Sequence, residues 1–231
     1  MASRGTVVAE ICEARSPVLF LDTCILLDII RSTDRCLSDH AERASDLLTR
    51  VADRHCRIVL PSIVRREWDS NVQGVIGEVD RGLNKMEEKS SHFHTACRIL
   101  GIDAGFAPGR YSSLGLSGRL RDLSERLLNS ATHLDADDDC KVRAVNRVVD
   151  DLPPSRRGGE VKDCTILEEI LAVCRGLEAA NFEGKRIFCT SNTSDYCDGA
   201  KHLHAKLAVE FKDLNLIFAA NIATAFQLLV R

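Results

Sequence analysis

A chain of 231 residues is long enough for one generous domain, or for a small domain carrying an insertion. Its 45% hydrophobic and 28% charged residues give the composition of an ordinary globular protein, and a net charge of -3 excludes any global attraction to nucleic acid. A nucleic-acid partner would therefore have to be met by local basic patches or by bound metal.

Ten cysteines lie scattered with no C-x-x-C pair, which argues against a disulfide scaffold or a zinc ribbon. They read as buried, reduced thiols in a reducing cytosol. Residues 1–16 alternate apolar and charged side chains and do not resemble a signal peptide. Apolar runs such as Ile25 to Leu27 and Ile217 to Ala220 are far too short to span a bilayer. The expectation is a soluble cytoplasmic protein with no membrane contact.

In chain order, residues 17–22 form an apolar run ending on Asp22, the pattern of a strand buried on both faces. A helix is predicted over 23–30 and another over 40–55, where Ala44, Leu47, Leu48 and Val51 share a face. Residues 57–61 read as a second buried strand, with Ser62 as N-cap of a helix carrying Val64, Glu67 and Trp68. From about 74 to 158 no strand signal interrupts a charged, helical stretch. A long helix is predicted over 77–100, a Gly- and Ser-rich loop over 101–118, and helices near 120–130 and 138–149, the last preceded by the acidic cap Asp135 to Asp139. This stretch reads as a mostly helical insertion, a surface for a protein partner or for self-association. Pro153-Pro154 and Gly158-Gly159 mark the return to the main fold. A helix over 160–174, a strand over 186–190, a polar turn over 191–194, a helix over 195–210, a strand over 214–218 and a helix over 222–230 complete the pattern. Strands alternating with helices imply parallel pairing through right-handed crossovers. The expected fold is a three-layer α/β sandwich with a central parallel sheet of four to five strands, plus the helical insertion.

Ligands of open parallel sheets bind beyond the carboxyl ends of the strands, and the acids fall there. Asp22 ends the first strand, Glu67 follows the second, and Asp195 follows the third across a hydroxyl-rich turn. Asp163 lies on the first turn of a helix whose start can face the same edge. Four converging carboxylates repel one another unless a divalent cation holds them. Oxygen ligands without nearby Cys or His favour Mg²⁺ or Mn²⁺ over zinc, and such ions support hydrolysis of a phosphodiester.

Each acid also has a plainer role open to it. Asp22 fits a turn former or N-cap, Glu67 a surface acid, Asp163 a partner of the helix dipole, and Ser194 or Asp195 a helix cap. Glu160 and Asp198 lie close enough in sequence to replace or join the ligands. Glu168 and Glu169 read as solvent-facing or salt-bridged.

At these residues the sequence resembles the PIN domain nucleases, in its larger subgroup with a long helical insertion. The matching pieces are Phe20-Leu21-Asp22-Thr23, Val64-Arg65-Arg66-Glu67, Lys162 to Leu167 and Thr190 to Asp195. The resemblance implies a metal-dependent endoribonuclease acting on RNA through Mg²⁺ or Mn²⁺, and it makes Asp22, Glu67, Asp163 and Asp195 the metal ligands. It also implies that Asn192, Thr190 and Ser191 orient Asp22 or a water on the metal. Arg66 and Lys162 are candidate phosphate contacts beside Arg65, Arg156 and Arg157. An inactive binding module of the same fold and a DNA-directed nuclease are the alternatives.

Other patterns carry less. His92 and His94, like His202 and His204, are two apart and do not share a helix face, so they read as surface residues. Trp68 reads as packing, with base stacking as the alternative. A phosphatase of the haloacid type needs a second Asp where Cys24 stands, and a dinucleotide site needs a Gly-x-Gly-x-x-Gly turn that is missing.

Overall fold

The computed structural model describes residues 2–33, 39–105, 107, 109–155, 161–199 and 202–231. The four apolar runs become strands β1 (Val18–Leu21), β2 (Arg57–Leu60), β4 (Arg186–Cys189) and β5 (Leu216–Ala219). A fifth, β3 (Thr132–His133), joins them in one parallel sheet of order β3-β2-β1-β4-β5. Phe20 of β1 lies opposite Val59 of β2 on one side and Phe188 of β4 on the other. Every residue of β1 and β4 is buried, whereas edge strand β5 is buried only at its two ends, Leu216 and Ala219. That contrast explains why the central strands read as continuous apolar runs.

Ten helices surround the sheet among the described residues: α1 (Arg4–Ala14), α2 (Thr23–Ile30), α3 (Asp39–Ala52), α4 (Val64–Ile99), α5 (Leu116–Ser130), α6 (Asp138–Val149), α7 (Val161–Ala179), α8 (Thr193–Tyr196), α9 (Ala205–Asp213) and α10 (Ile222–Val230). Right-handed crossovers divide them between two layers. The chain steps one way from β1 to β3, placing α2 to α5 on one face, where they pack on one another. It then steps back to β4 and β5, placing α6 and α7 on the opposite face, with α1 packed on α7. An alanine in place of Gly176 on α7 would bring its Cβ within 2.8 Å of Val8 Cγ2 on α1, so the glycine permits this close approach.

Several expectations are corrected. The two helices expected on either side of residue 74 are a single helix of 36 residues. Its buried stripe of Val64, Trp68, Val72, Val75, Val79 and Leu83 runs unbroken past Gly74 and Gly77, outweighing the ~1 kcal/mol that each glycine costs. Ser62 is not its N-cap; Ile63 holds that position without a side-chain bond. The stretch from 74 to 158 does contain a strand, since β3 pairs with Val59 and Leu60. Two half-buried polar residues leave no apolar run from which to read it. The helix expected over 195–210 is divided into α8 and α9 by a Cys197–Leu203 bridge. Residues 4–14, assigned no element from sequence, form α1 with Ser3 as N-cap.

Other features agree with the sequence. Asp137 caps α6 through the amides of Asp139 and Cys140. Trp68 is packing: its indole N–H donates to Ser124 Oγ at 3.0 Å, and that hydroxyl donates to the Leu26 carbonyl at 2.7 Å. The nine described cysteines are free thiols, seven of them buried. Among the described residues no helix is long and apolar enough to cross a membrane.

Candidate active and metal site

The strand order reverses at β1, so a crevice is expected where the carboxyl ends of β1 and β4 diverge. Asp22 leaves β1 there, its amide still bonded to the Cys189 carbonyl at 3.1 Å. The residue serves both roles open to it from sequence, as cap and as edge acid. Its Oδ1 accepts from the Thr23 amide at 2.6 Å, capping α2. Its Oδ2 accepts from the Thr190 hydroxyl at 2.6 Å and from the Cys24 thiol at 3.2 Å.

Two chains of contacts lead outward. In the first, the Thr23 hydroxyl donates to Glu67 Oε2 at 2.8 Å, and Lys162 Nζ lies 3.3 Å from Glu67 Oε1. In the second, the Asn192 amide donates to Thr190 Oγ1 at 3.1 Å. The Asn192 side-chain Nδ2 then reaches Asp195 Oδ2 at 2.8 Å and Asp163 Oδ1 at 3.4 Å. Asp22 and Glu67 thus share Thr23, and Asp163 and Asp195 share Asn192. Among the described residues no three His, Cys, Asp or Glu side chains are gathered tightly enough to form a ready-made cation cage.

At Asp22 burial is set against hydrogen bonding. The carboxyl is buried, and burial raises its pKa above the usual carboxylate value. Bonds from Thr190, Cys24 and Thr23 pull it back, while the charge of Glu67 raises it again. Among the described residues no Lys or Arg pairs with it. Burial and the Asp22 charge hold the Cys24 thiol well above its ordinary value, so Cys24 stays protonated and can donate to Asp22. Burial, with the charges of Asp22 and Asp163, likewise raises the Tyr196 phenol, whose hydroxyl donates to the Asp163 carbonyl at 3.2 Å.

A model of the PIN domain family matches residues 19–196, well over half the chain and across the whole helical stretch. The chain belongs to the PIN domain family. No curated protein and no solved structure matches it. PIN domains are generally nucleases that typically use divalent metal ions and bind nucleic acid.

The remaining candidate residues of this PIN domain fall as follows. The Ser191 hydroxyl donates to Asp28 Oδ2 at 2.5 Å and does not touch Asp22. Arg66 is exposed on α4, and Arg65 turns to Asp69 and Asn129. Asp198 accepts from the His202 amide at 3.0 Å. Glu160, Arg156, Arg157, Gly158 and Gly159 lie outside the described residues. Glu168 and Glu169 are buried and not solvent-facing; Glu168 is salt-bridged to Arg143, Arg147 and Arg175.

Sequence reasoning missed Thr23, Cys24, Asp28 and Tyr196. Cys24 and Asp28 stand four apart on one face of α2 and hold Ser191 from its amide and its hydroxyl. Counted from Asp22 they stand two and six residues on, off the helical repeat, so only their own four-residue separation carried a signal. Tyr196 carried no signal, since a buried aromatic reads as core.

Proposed function

We propose that this PIN domain is a metal-dependent endoribonuclease in which Asp22, Glu67, Asp163 and Asp195 hold Mg²⁺ or Mn²⁺ beside an RNA phosphodiester. The observation that carries the reading is Asp22: a buried carboxylate with a second carboxylate nearby and no cationic partner among the described residues. Such a group is costly unless a cation compensates it, and an all-oxygen donor set suits a hard divalent ion. When bound, that ion supplies Lewis-acid chemistry, making water a better nucleophile and offsetting charge on the phosphoryl oxygens.

The protein's own groups then have distinct tasks. Thr190 and Thr23 fix the rotamers of Asp22 and Glu67, so both acids are oriented before substrate arrives. Asn192 holds Asp195 and reaches Asp163, keeping those two carboxylates near each other. Lys162, exposed and paired with Glu67, and exposed Arg66 are placed to contact phosphates. Ser191 acts indirectly, by pinning the turn to Asp28. In this reading the whole chain is one domain working in the cytosol, which free cysteines suit. A protein partner or second copy would dock on the helical stretch, where Ile99, Leu100 and Ile102 are exposed.

The test is incubation with labelled single-stranded RNA and DNA in Mn²⁺ or EDTA, beside Asp22→Asn and Asp163→Asn. RNA cleavage by the wild type, in Mn²⁺ only, is expected. Cleavage unchanged in both variants would sink the site assignment, and preferential DNA cleavage would sink the RNA assignment. Binding of RNA with no cleavage of either polymer would favour the binding-module alternative.

A further inference from the structure

Glu169 has no place in the chemistry above, yet it is a buried carboxylate with both oxygens committed. Its Oε2 accepts from the Ser62 amide and its Oε1 from the Ser62 hydroxyl, each at 2.7 Å. Ser62 immediately precedes the start of α4, whose N-cap Ile63 offers no side-chain acceptor. Ser62 lies in the turn leading into the helix, one residue before the N-cap, and its amide finds its acceptor on a different element, α7. The negative charge also suits the positive end of so long a helix.

Glu169 stands seven residues after Lys162, which is two turns or roughly 10 Å along α7, on the same helix face. Lys162 contacts Glu67 on the first turn of α4. One face of α7 therefore grips the start of α4 at two points: an exposed ion pair at Glu67, and a buried two-pronged bond at Ser62. The exposed pair is weak by itself, because Lys162 is solvated. The buried contact is the one able to fix position.

We infer that Glu169 is a positioning residue, which locks the first turn of α4 onto α7 and so sets the Glu67 carboxylate relative to Asp163. The inference rests on the nuclease reading for its functional consequence. The structural part does not: Trp68, the only tryptophan, adjoins Glu67 and reports on that turn directly.

The test compares Glu169→Ala and Glu169→Gln with wild type in three measurements: hydrogen exchange over residues 62–70, Trp68 emission, and Mn²⁺ affinity by calorimetry. Glu169→Ala is expected to speed exchange in that turn, redden Trp68 emission and weaken Mn²⁺ binding about tenfold or more, as loss of an outer support does. Turnover on RNA should fall with it. Glu169→Gln keeps an acceptor for the Ser62 amide and should restore most of each property. If the alanine variant does not fold, Ser62→Ala removes one prong alone and should weaken Mn²⁺ binding less than tenfold, in the same direction. Unchanged exchange, or faster exchange with unchanged Mn²⁺ affinity, in whichever of the two folds would overturn the positioning role. A wild-type chain that neither binds Mn²⁺ nor cleaves RNA would overturn the nuclease reading and, with it, the consequence drawn for the metal site.

Discussion

At the scale of single residues, Asp22 carries an energetic conflict that makes it testable without any substrate. Burial and Glu67 raise its pKa above that of an unfolded aspartate near 3.8. The sign follows from linkage: a carboxyl whose folded pKa is raised contributes stability that is fully present below the unfolded value and is lost as pH rises through the folded value. At neutral pH the ionised group therefore opposes folding unless a cation sits beside it. Asp22→Asn is expected to stabilise the protein in EDTA at pH 7.5 by roughly 0.5–2 kcal/mol, about 2–4 °C of Tm per kcal/mol in a chain of this size. That gain should narrow as the pH is lowered toward 3.8. In Mn²⁺ at about a hundred times its Kd the order reverses, because the wild type alone gains ~2.7 kcal/mol from binding. Thermal melts in EDTA and Mn²⁺ across this pH range decide the matter; a variant less stable than wild type in EDTA would contradict the account. Thr190→Val removes a donor that favours the charged form of Asp22, so the acid limb of kcat/KM should move to higher pH. A pH–rate profile that does not move would show that Asp22 is not the titrating group.

At the scale of elements, the buried ion network behind the site sets how α6, α7 and α9 are held together. Arg147 on α6 lies between Glu168 on α7 and Glu210 on α9, and Glu168 also meets Arg143 and Arg175. Arg147 and Glu168 are both almost wholly buried, so removing one partner strands the other. Glu168→Ala is expected to cost about 3–5 kcal/mol by urea unfolding, whereas breaking the exposed Lys141–Asp138 pair should change nothing measurable. A small effect for Glu168→Ala would show that Arg147 is not stranded by its loss, Glu210 sufficing as its partner. This network also marks the limit of sequence reading. Central strands were legible because burial on both faces leaves an unbroken apolar run, as in Val18 to Leu21. Asp22, Glu67, Asp163 and Asp195 were legible as candidates because parallel topology fixes which strand ends matter. Thr132–His133 was not, since a two-residue edge strand has no periodicity to detect. Glu168 and Glu169 read as solvent-facing or salt-bridged; the salt bridge is there for Glu168, but the burial of both was not legible because their arginine and serine partners come from distant segments, and charged residues are buried only when such partners exist.

At the scale of the whole molecule, the net charge of -3 means that this PIN domain must attract a nucleic-acid strand locally. Among the described residues near the acids, Lys162 and Arg66 are exposed cations, and Lys162 is engaged with Glu67. A divalent ion taking up Glu67 would release Lys162 toward a phosphate, so cation and RNA binding should reinforce each other. Two phosphate contacts on a single strand predict a slope of log K against log salt of about -1.4, far shallower than that of a strongly basic nucleic-acid binder. Lys162→Ala should reduce that slope by about 0.7, and it should do so only in the divalent ion, because without the ion the lysine is held by Glu67. Filter binding of single-stranded RNA to the cleavage-deficient Asp195→Asn variant, with and without Lys162→Ala, measures this across monovalent salt at fixed Mn²⁺ and again in EDTA. A steep slope insensitive to Lys162 would place the RNA contacts elsewhere on the surface. A Lys162 effect of equal size in EDTA would show that the lysine is not gated by Glu67.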